Sequence, residues 1–265
     1  MIFSPLTAPA DLTRPGVCAT LVLVSLTCWS QTRSDELKSV APSCAASSTA
    51  TRLPGPPAVH RYQVQGRTRS LAYSATATMS WQPEANKAYT MNYDIRAFLG
   101  LGRQQTSTGR WSTDGLSPRQ FTEPGSRRPP LTVDAQRGTV QLPEAPTEQA
   151  LVSGSQDKLS AWAQLGWWVV CSTATFEKPV ALAMPVWGSG DTEKWTFQSL
   201  GWVKIDTPYG ERNAIHLVRP AGMGGDSRIE LWYVPEWGVL PVRLRVEQPN
   251  GDRADQQLSE RQPSP

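Results

Sequence analysis

The sequence is poor in the residues that hold metals: two histidines and four cysteines in 265 residues, with no CxxC pair and no HxxxH spacing. Tetrahedral zinc sites draw on such clusters, so no metal ligand is expected. Charge is also sparse. Charged residues make up 18%, and 26 basic side chains scatter among 23 acidic ones, for a net charge of +3. Without a lysine- or arginine-rich block interleaved with aromatics, nucleic acid is not an expected partner. No apolar run reaches the roughly 20 residues that a membrane-spanning helix needs. The common catalytic signatures are missing as well. GSGD at 188–191 and GSQD at 154–157 are not the G-x-S-x-G elbow of a serine nucleophile. AGMGGDS, Ala221–Ser227, has neither the lysine nor the following helix of a phosphate loop. His60 and His216 fall within predicted strands, and Asp94, Glu193 and Glu230 fall on outward strand positions. Neither a triad nor a pair of cleft carboxylates is therefore expected. No catalytic residue and no cofactor is assigned, and the protein is expected not to be an enzyme.

What the sequence does have is 23 prolines, 20 glycines and 11 tryptophans. The run Val17–Trp29, VCATLVLVSLTCW, is uncharged, apolar and preceded by Arg14. Its length suits the apolar region of a secretory signal rather than a membrane span. Residues 1–30 are read as an export signal, which places the protein in the periplasm. Cys28 follows Thr27 and makes a poor lipoprotein box, so a free form is expected over a lipid-anchored one. Residues 31–57, small, polar and ending LPGPP, read as a flexible tether. A single β-rich domain is expected over 58–258, with a disordered tail at 259–265. After export Cys44 and Cys171 remain; one disulfide or two free thiols are both compatible with that count.

From Ala58 the apolar period becomes two. In LAYSATATMSW, Leu71, Tyr73, Ala75, Ala77, Met79 and Trp81 alternate with small polar residues, the pattern of a strand with one face on a core. AYTMNYDIRAF repeats it after the turn QPEANK, and LGLG, Leu99–Gly102, reads as a bend. Asp114-Gly115 and Asn250-Gly251 are tight-turn signals. One segment switches period. GSQDKLSAWAQLGWWVV, Gly154–Val170, puts Leu159, Trp162, Gly166 and Val169 on a helical stripe, with Ser153 or Ser155 able to cap it and Asp157 at its positive end. The expected fold is mainly β: a curved antiparallel sheet or partly open barrel of about ten strands. One α-helix, about 156–170, plugs or covers it.

Two segments carry a resemblance. The QDKLS helix start contributes Gln156, Asp157 and Leu159, and ELWYVPEWGVLPVRLRVEQPNG contributes the W-x-x-P-x-x-x-x-x-P-V-R pattern of Trp232, Pro235, Pro241, Val242 and Arg243. Together with the strands from Leu71 onward they resemble exported bacterial proteins catalogued as domain of unknown function 3108, over about Ala58–Leu258. The resemblance implies a fold and a compartment, similar in outline to periplasmic half-barrels that carry lipids or lipoproteins, and no catalytic residues. In the stretch itself Ile229, Leu231 and Tyr233 point one way and Glu230 and Trp232 the other. Arg243, Arg245 and Glu247 face outward, with Glu230 a cross-strand partner for Arg243 or Arg245.

The tryptophans are the unusual concentration. Core packing accounts for them, or some of Trp81, Trp111, Trp162, Trp167, Trp168, Trp195 and Trp202 line an apolar ligand site in a barrel mouth. The expected function is non-enzymatic binding of an apolar or lipid-like small molecule or of an envelope component. The alternative is an envelope assembly scaffold that takes a protein partner through its sheet edge.

Overall fold

A computed structural model describes residues 42, 55–69, 71–97, 102–124, 129–222 and 226–263. The expected export signal, most of the tether, the LGL bend residues 99–101 and the final two residues lie outside the described residues. Fourteen strands form one sheet. They are β1 (Ala58–Thr68), β2 (Leu71–Pro83), β3 (Ala88–Ala97), β4 (Gly102–Ser112), β5 (Gly115–Thr122), β6 (Leu131–Asp134), β7 (Thr139–Gln141), β8 (Gln149–Ala150), β9 (Ala181–Trp187), β10 (Thr192–Thr207), β11 (Gly210–Arg219), β12 (Arg228–Tyr233), β13 (Arg243–Glu247) and β14 (Arg253–Pro263). That is four more than the expected ten or so. Three of the strands, β6 to β8, have four, three and two residues, too few for alternation to show.

The strand order is β8-β7-β6-β5-β4-β3-β2-β1-β14-β13-β12-β11-β10-β9, and every pair is antiparallel. The first and last strands pair at the middle, Ala58 opposite Pro263 and Arg67 opposite Arg253. From there one meander runs out to β8 and the other to β9. The sheet is not closed by strand pairing. A single parallel bridge, Gln156 to Val186, crosses the seam: Gln156 N–H donates to the Pro185 carbonyl (2.9 Å), and Trp187 N–H to the Gln156 carbonyl (2.9 Å).

The alternation read from β2 holds from Ala75 to Trp81, whose odd residues are buried while Thr76 is exposed. It fails at the start of the strand, where Leu71 is 72% exposed because the strand overshoots the core. Asn250-Gly251 turns the chain into β14 as expected, with Gly251 at φ 83° and Asn250 Oδ1 accepting from Asp252 N–H.

The helix α1 spans Ser160–Cys171, starting later than the expected 156. It carries the chain from one lateral edge of the sheet to the other. Ten of its twelve residues are buried, Leu165, Trp167 and Val169 completely, and Trp162 and Val170 are half-buried. A helix buried on all sides belongs inside a core. Of the two expected roles it therefore takes that of a plug on the inner face of the sheet, and Trp162, placed on the expected core stripe, is among its more exposed residues. Cys171 is 3% exposed and disulfide-bonded; the other three cysteines lie outside the described residues.

Candidate functional site

The tryptophans expected to line a ligand site make separate ring contacts among the described residues. Trp81 stacks on Tyr89 with ring centres 5.3 Å apart. Trp111 tilts against Trp167 at 6.3 Å, and Trp162 meets Tyr93 edge-on at 5.7 Å. Trp195 lies beside Phe197 and under the Arg219 guanidinium, 4.9 Å from its ring centre. Trp168 is buried in α1, while Trp202 sits on β10 and is 41% exposed. Rings packed on rings and on their own helix have the geometry of a filled core, where each buried aromatic removes on the order of 200 Å² from water.

The start of α1 is built from the QDKLS residues. Asp157 Oδ1 accepts the N–H groups of Leu159 (2.9 Å) and Ser160 (2.8 Å), and Oδ2 accepts the Ser107 hydroxyl (2.6 Å). Asp157 N–H donates to Ser160 Oγ, and its carbonyl accepts Ala161 N–H. Asp157 is thus the cap, in place of the expected Ser153 or Ser155. Burial pushes its carboxyl above the ordinary value, against the hydrogen bonds from Ser107 and the helix N–H groups. Tyr89 closes this cluster with a 3.1 Å contact to Ser107 Oγ. Gln156 Nε2 donates to the Leu116 carbonyl (2.9 Å), and Gln164 Oε1 accepts Leu116 N–H (2.7 Å). Two glutamines therefore serve the backbone of one residue at the start of β5. Leu159 is fully buried. The work of these residues is to fix the helix inside the sheet. Asp157→Ala is expected to lose about 2 kcal/mol in urea unfolding, the upper range for an N-cap; a loss below about 0.5 kcal/mol would contradict the capping role.

The two histidines lie on opposite faces. His60 is completely buried on the inner face of β1; its Nδ1 faces the Pro241 carbonyl at 3.1 Å, which also accepts the Tyr62 hydroxyl at 2.7 Å. Desolvation lowers its pKa to about 4, so the ring is neutral. Pro241, a residue of the W-x-x-P pattern, is thus the acceptor for two core side chains. His216 lies on the outer face of β11, stacked on Trp232 (4.2 Å, 13°), with Nε2 3.0 Å from Glu230 Oε2. Burial lowers its pKa against the pull of Glu230.

Around Trp232 the outer face carries a lattice of charges. Arg243 and Arg245 stand 4.9 and 5.9 Å from the Trp232 ring centre. Arg243 makes a two-point contact with Asp255 (2.8 and 2.5 Å), and Arg245 joins it at 3.0 Å. Glu230 is held by Arg228 at 3.1 Å and by Arg245 at 3.7 Å. The expected Glu230 pairing is thus with Arg245, its register partner. Burial raises the Asp255 and Glu230 pKa values, but the guanidiniums outweigh it and both carboxyls sit below their ordinary range. Pro235 opens a 3-10 turn, Pro235–Trp237, between β12 and β13. The lattice ties four strands together.

Residues that carried no assigned role in the sequence also matter. Gln164 was legible as a polar residue inside an apolar helix, and Gly166 as a stripe position without a side chain. Ser107, on β4, has no local signal for its role.

The decisive comparison is with a family model described as a protein of unknown function, DUF3108, which matches residues 61–258. The chain belongs to the DUF3108 family. The QDKLS and W-x-x-P residues of this DUF3108 protein, assigned above to helix docking and sheet building, lie within the matched span. No curated protein matches the chain. A crystal structure of a beta-barrel-like protein of domain of unknown function DUF1849 from Brucella abortus is similar in fold. It has a TM-score of 0.52 at 11% identity, covering 79% of this chain and 98% of that one. At that identity the likeness speaks for architecture only.

Proposed function

We propose that this DUF3108 protein is an exported, non-enzymatic binding protein that takes a segment of an envelope protein at its lateral sheet edge. The observation that carries this reading is the occupancy of the inner face. A carrier of apolar cargo keeps that volume for its ligand, and here α1 takes it with Trp167 and Leu165 fully buried. Recognition then falls to the outside of the sheet. Strand β9 pairs with β10 on one side, while on its other side the Gln156 bridge engages Pro185 and Trp187. Ala181–Met184 have no second strand among the described residues, and of the four only Ala183 is partly exposed; an unpaired edge accepts an added strand through main-chain hydrogen bonds once it is uncovered. A shallow recess of about 260 Å³ beside Ala183, Met184, Lys194 and Thr192 offers a place for a side chain of that strand. Export is supported by the apolar run at 17–29 and by the disulfide at Cys171, a bond that persists in oxidising compartments.

The test places a photo-crosslinking residue at Ala183 and, as a control, at Thr76 on the exposed outer face of β2, in the exporting cell. A discrete adduct with one envelope protein from position 183 and none from 76 is expected. Organic extraction of the purified domain followed by mass spectrometry supplies the opposing outcome. Stoichiometric co-purifying lipid, with no adduct at 183, would overturn the edge reading in favour of an apolar ligand.

A further inference from the structure

The seam between the two lateral edges contains a recess of about 40 Å³, room for a small group of a few heavy atoms, since roughly 10–15 Å³ of such space already holds one water. Phe121 and Leu131 wall it from the β5–β6 side and Trp187 from the end of β9, with Arg103, Glu123 and Lys158 around them. Donors and acceptors here do not balance. Glu123 already accepts from Arg103 and from Gln105 Nε2 (2.6 Å). Trp187 is 2% exposed, and its indole N–H meets no acceptor among the described residues. Lys158 is half-buried and makes no ion pair or hydrogen bond among the described residues. The neighbouring Asp157 carboxylate is spent on Ser107 and the start of α1. The buried Trp187 N–H without an acceptor is costly to keep; beside it stand Arg103 and Lys158, and against the upward pull of burial their charges help hold the Glu123 carboxyl below its ordinary value.

We infer that this recess is a carboxylate site, in which a single small oxyanion takes the Lys158 ammonium and the Trp187 indole N–H as donors, with Arg103 adding charge. The recess is small, about 40 Å³, which suits a carboxylate head better than the larger phosphate. The inference rests on the edge-binding reading for the source of the group: Trp187 ends β9, so a strand added to that edge brings an acidic side chain or its terminal carboxylate to this point. The site itself is independent of the partner and can be tested without it.

The probe is sodium acetate, titrated at constant ionic strength into the purified disulfide-intact domain with ¹⁵N-labelled indoles. One indole resonance, the one missing in Trp187→Phe, should shift saturably. Lys158→Met should weaken that response at least about tenfold, the effect of losing one charge-assisted hydrogen bond. Lys204→Met, exposed on β10 and not among the recess residues, should leave it unchanged. If Trp187→Phe does not fold, sequential assignment of the parent protein identifies the resonance. No saturable shift, an equal response in Lys158→Met, or preferential binding of inorganic phosphate would each overturn the carboxylate site. A failed titration beside a positive crosslink at Ala183 removes this site and leaves the edge reading standing; the reverse pattern removes the edge reading alone.

Discussion

Gly166→Ala is expected to destabilise the protein by on the order of 2–3 kcal/mol, the cost of forcing a methyl into a packed core. For a domain of this size that corresponds to a drop in Tm of roughly 5–10 °C. The sign makes the experiment informative. In the middle of an ordinary helix the same change gains about 1 kcal/mol through helix propensity. Here a Cβ on Gly166 would stand 2.7 Å from the Val239 carbonyl carbon and 2.8 Å from its Cα, and closer still to the oxygen. The neighbour is backbone, not the end of a mobile side chain. Val239 is 3% exposed and Leu240 completely buried, so that segment has nowhere to retreat. A thermal melt in which Gly166→Ala matches or exceeds the parent would show that α1 does not press on the β12–β13 connection.

Acidification from pH 6.5 to 4 should cost the protein about 3 kcal/mol through His60 alone. Its folded pKa is about 4 against an ordinary 6.5, and each unit of difference is worth about 1.4 kcal/mol. In that window the unfolded chain binds the proton more readily. The contribution is therefore complete above pH 6.5 and lost as pH falls through the folded value. His216, also lowered, acts in the same sense. Asp157, pushed up, acts in the opposite one: it gains stability as pH falls from its folded pKa toward 3.8. Asp255 and Glu230, held down, lose their contributions only below the ordinary carboxylate values. A His60→Gln variant keeps a donor for the Pro241 carbonyl and shares all the other groups. Subtracting its stability curve from that of the parent isolates His60, and the difference should grow by about 3 kcal/mol between pH 4 and 6.5. Parallel curves would mean that the ring is not held neutral in the core.

Local features were legible in the sequence because their causes are local. The period of two assigns Ala75, Ala77, Met79 and Trp81 to one face, and Asn250-Gly251 turns because both residues tolerate the required backbone. The outward arginines and the Glu230–Arg245 neighbours follow from the same alternation. Depth was not legible. A tryptophan in a strand or helix pattern announces a face, but whether that face meets core, cavity or solvent depends on what the rest of the chain places opposite it. Trp81 and Trp202 look alike in sequence; one is buried against Tyr89, the other exposed after a break in register between Ser199 and Trp202. The helix boundary slipped for a related reason. Several serines and an aspartate precede α1, and the choice among them is made by Ser107, fifty residues earlier. The seam recess gathers Arg103, Lys158 and Trp187 from β4, the helix start and β9, so no stretch of sequence displays it.

The central pairing of β1 with β14 has a consequence for how the molecule is made. Each meander can grow hairpin by hairpin from neighbours in sequence, which is fast and pays little loop entropy. Joining the two halves requires Ala58 to meet Pro263, a contact across nearly the whole domain. That step waits until the last strand has been delivered. A chain halted before Arg253 would present the eleven-residue β1 and the five-residue β13 as unpaired edges in the middle of the sheet, more adhesive than the two-residue β8 at its rim. For this topology, completion of the chain and completion of folding are one event.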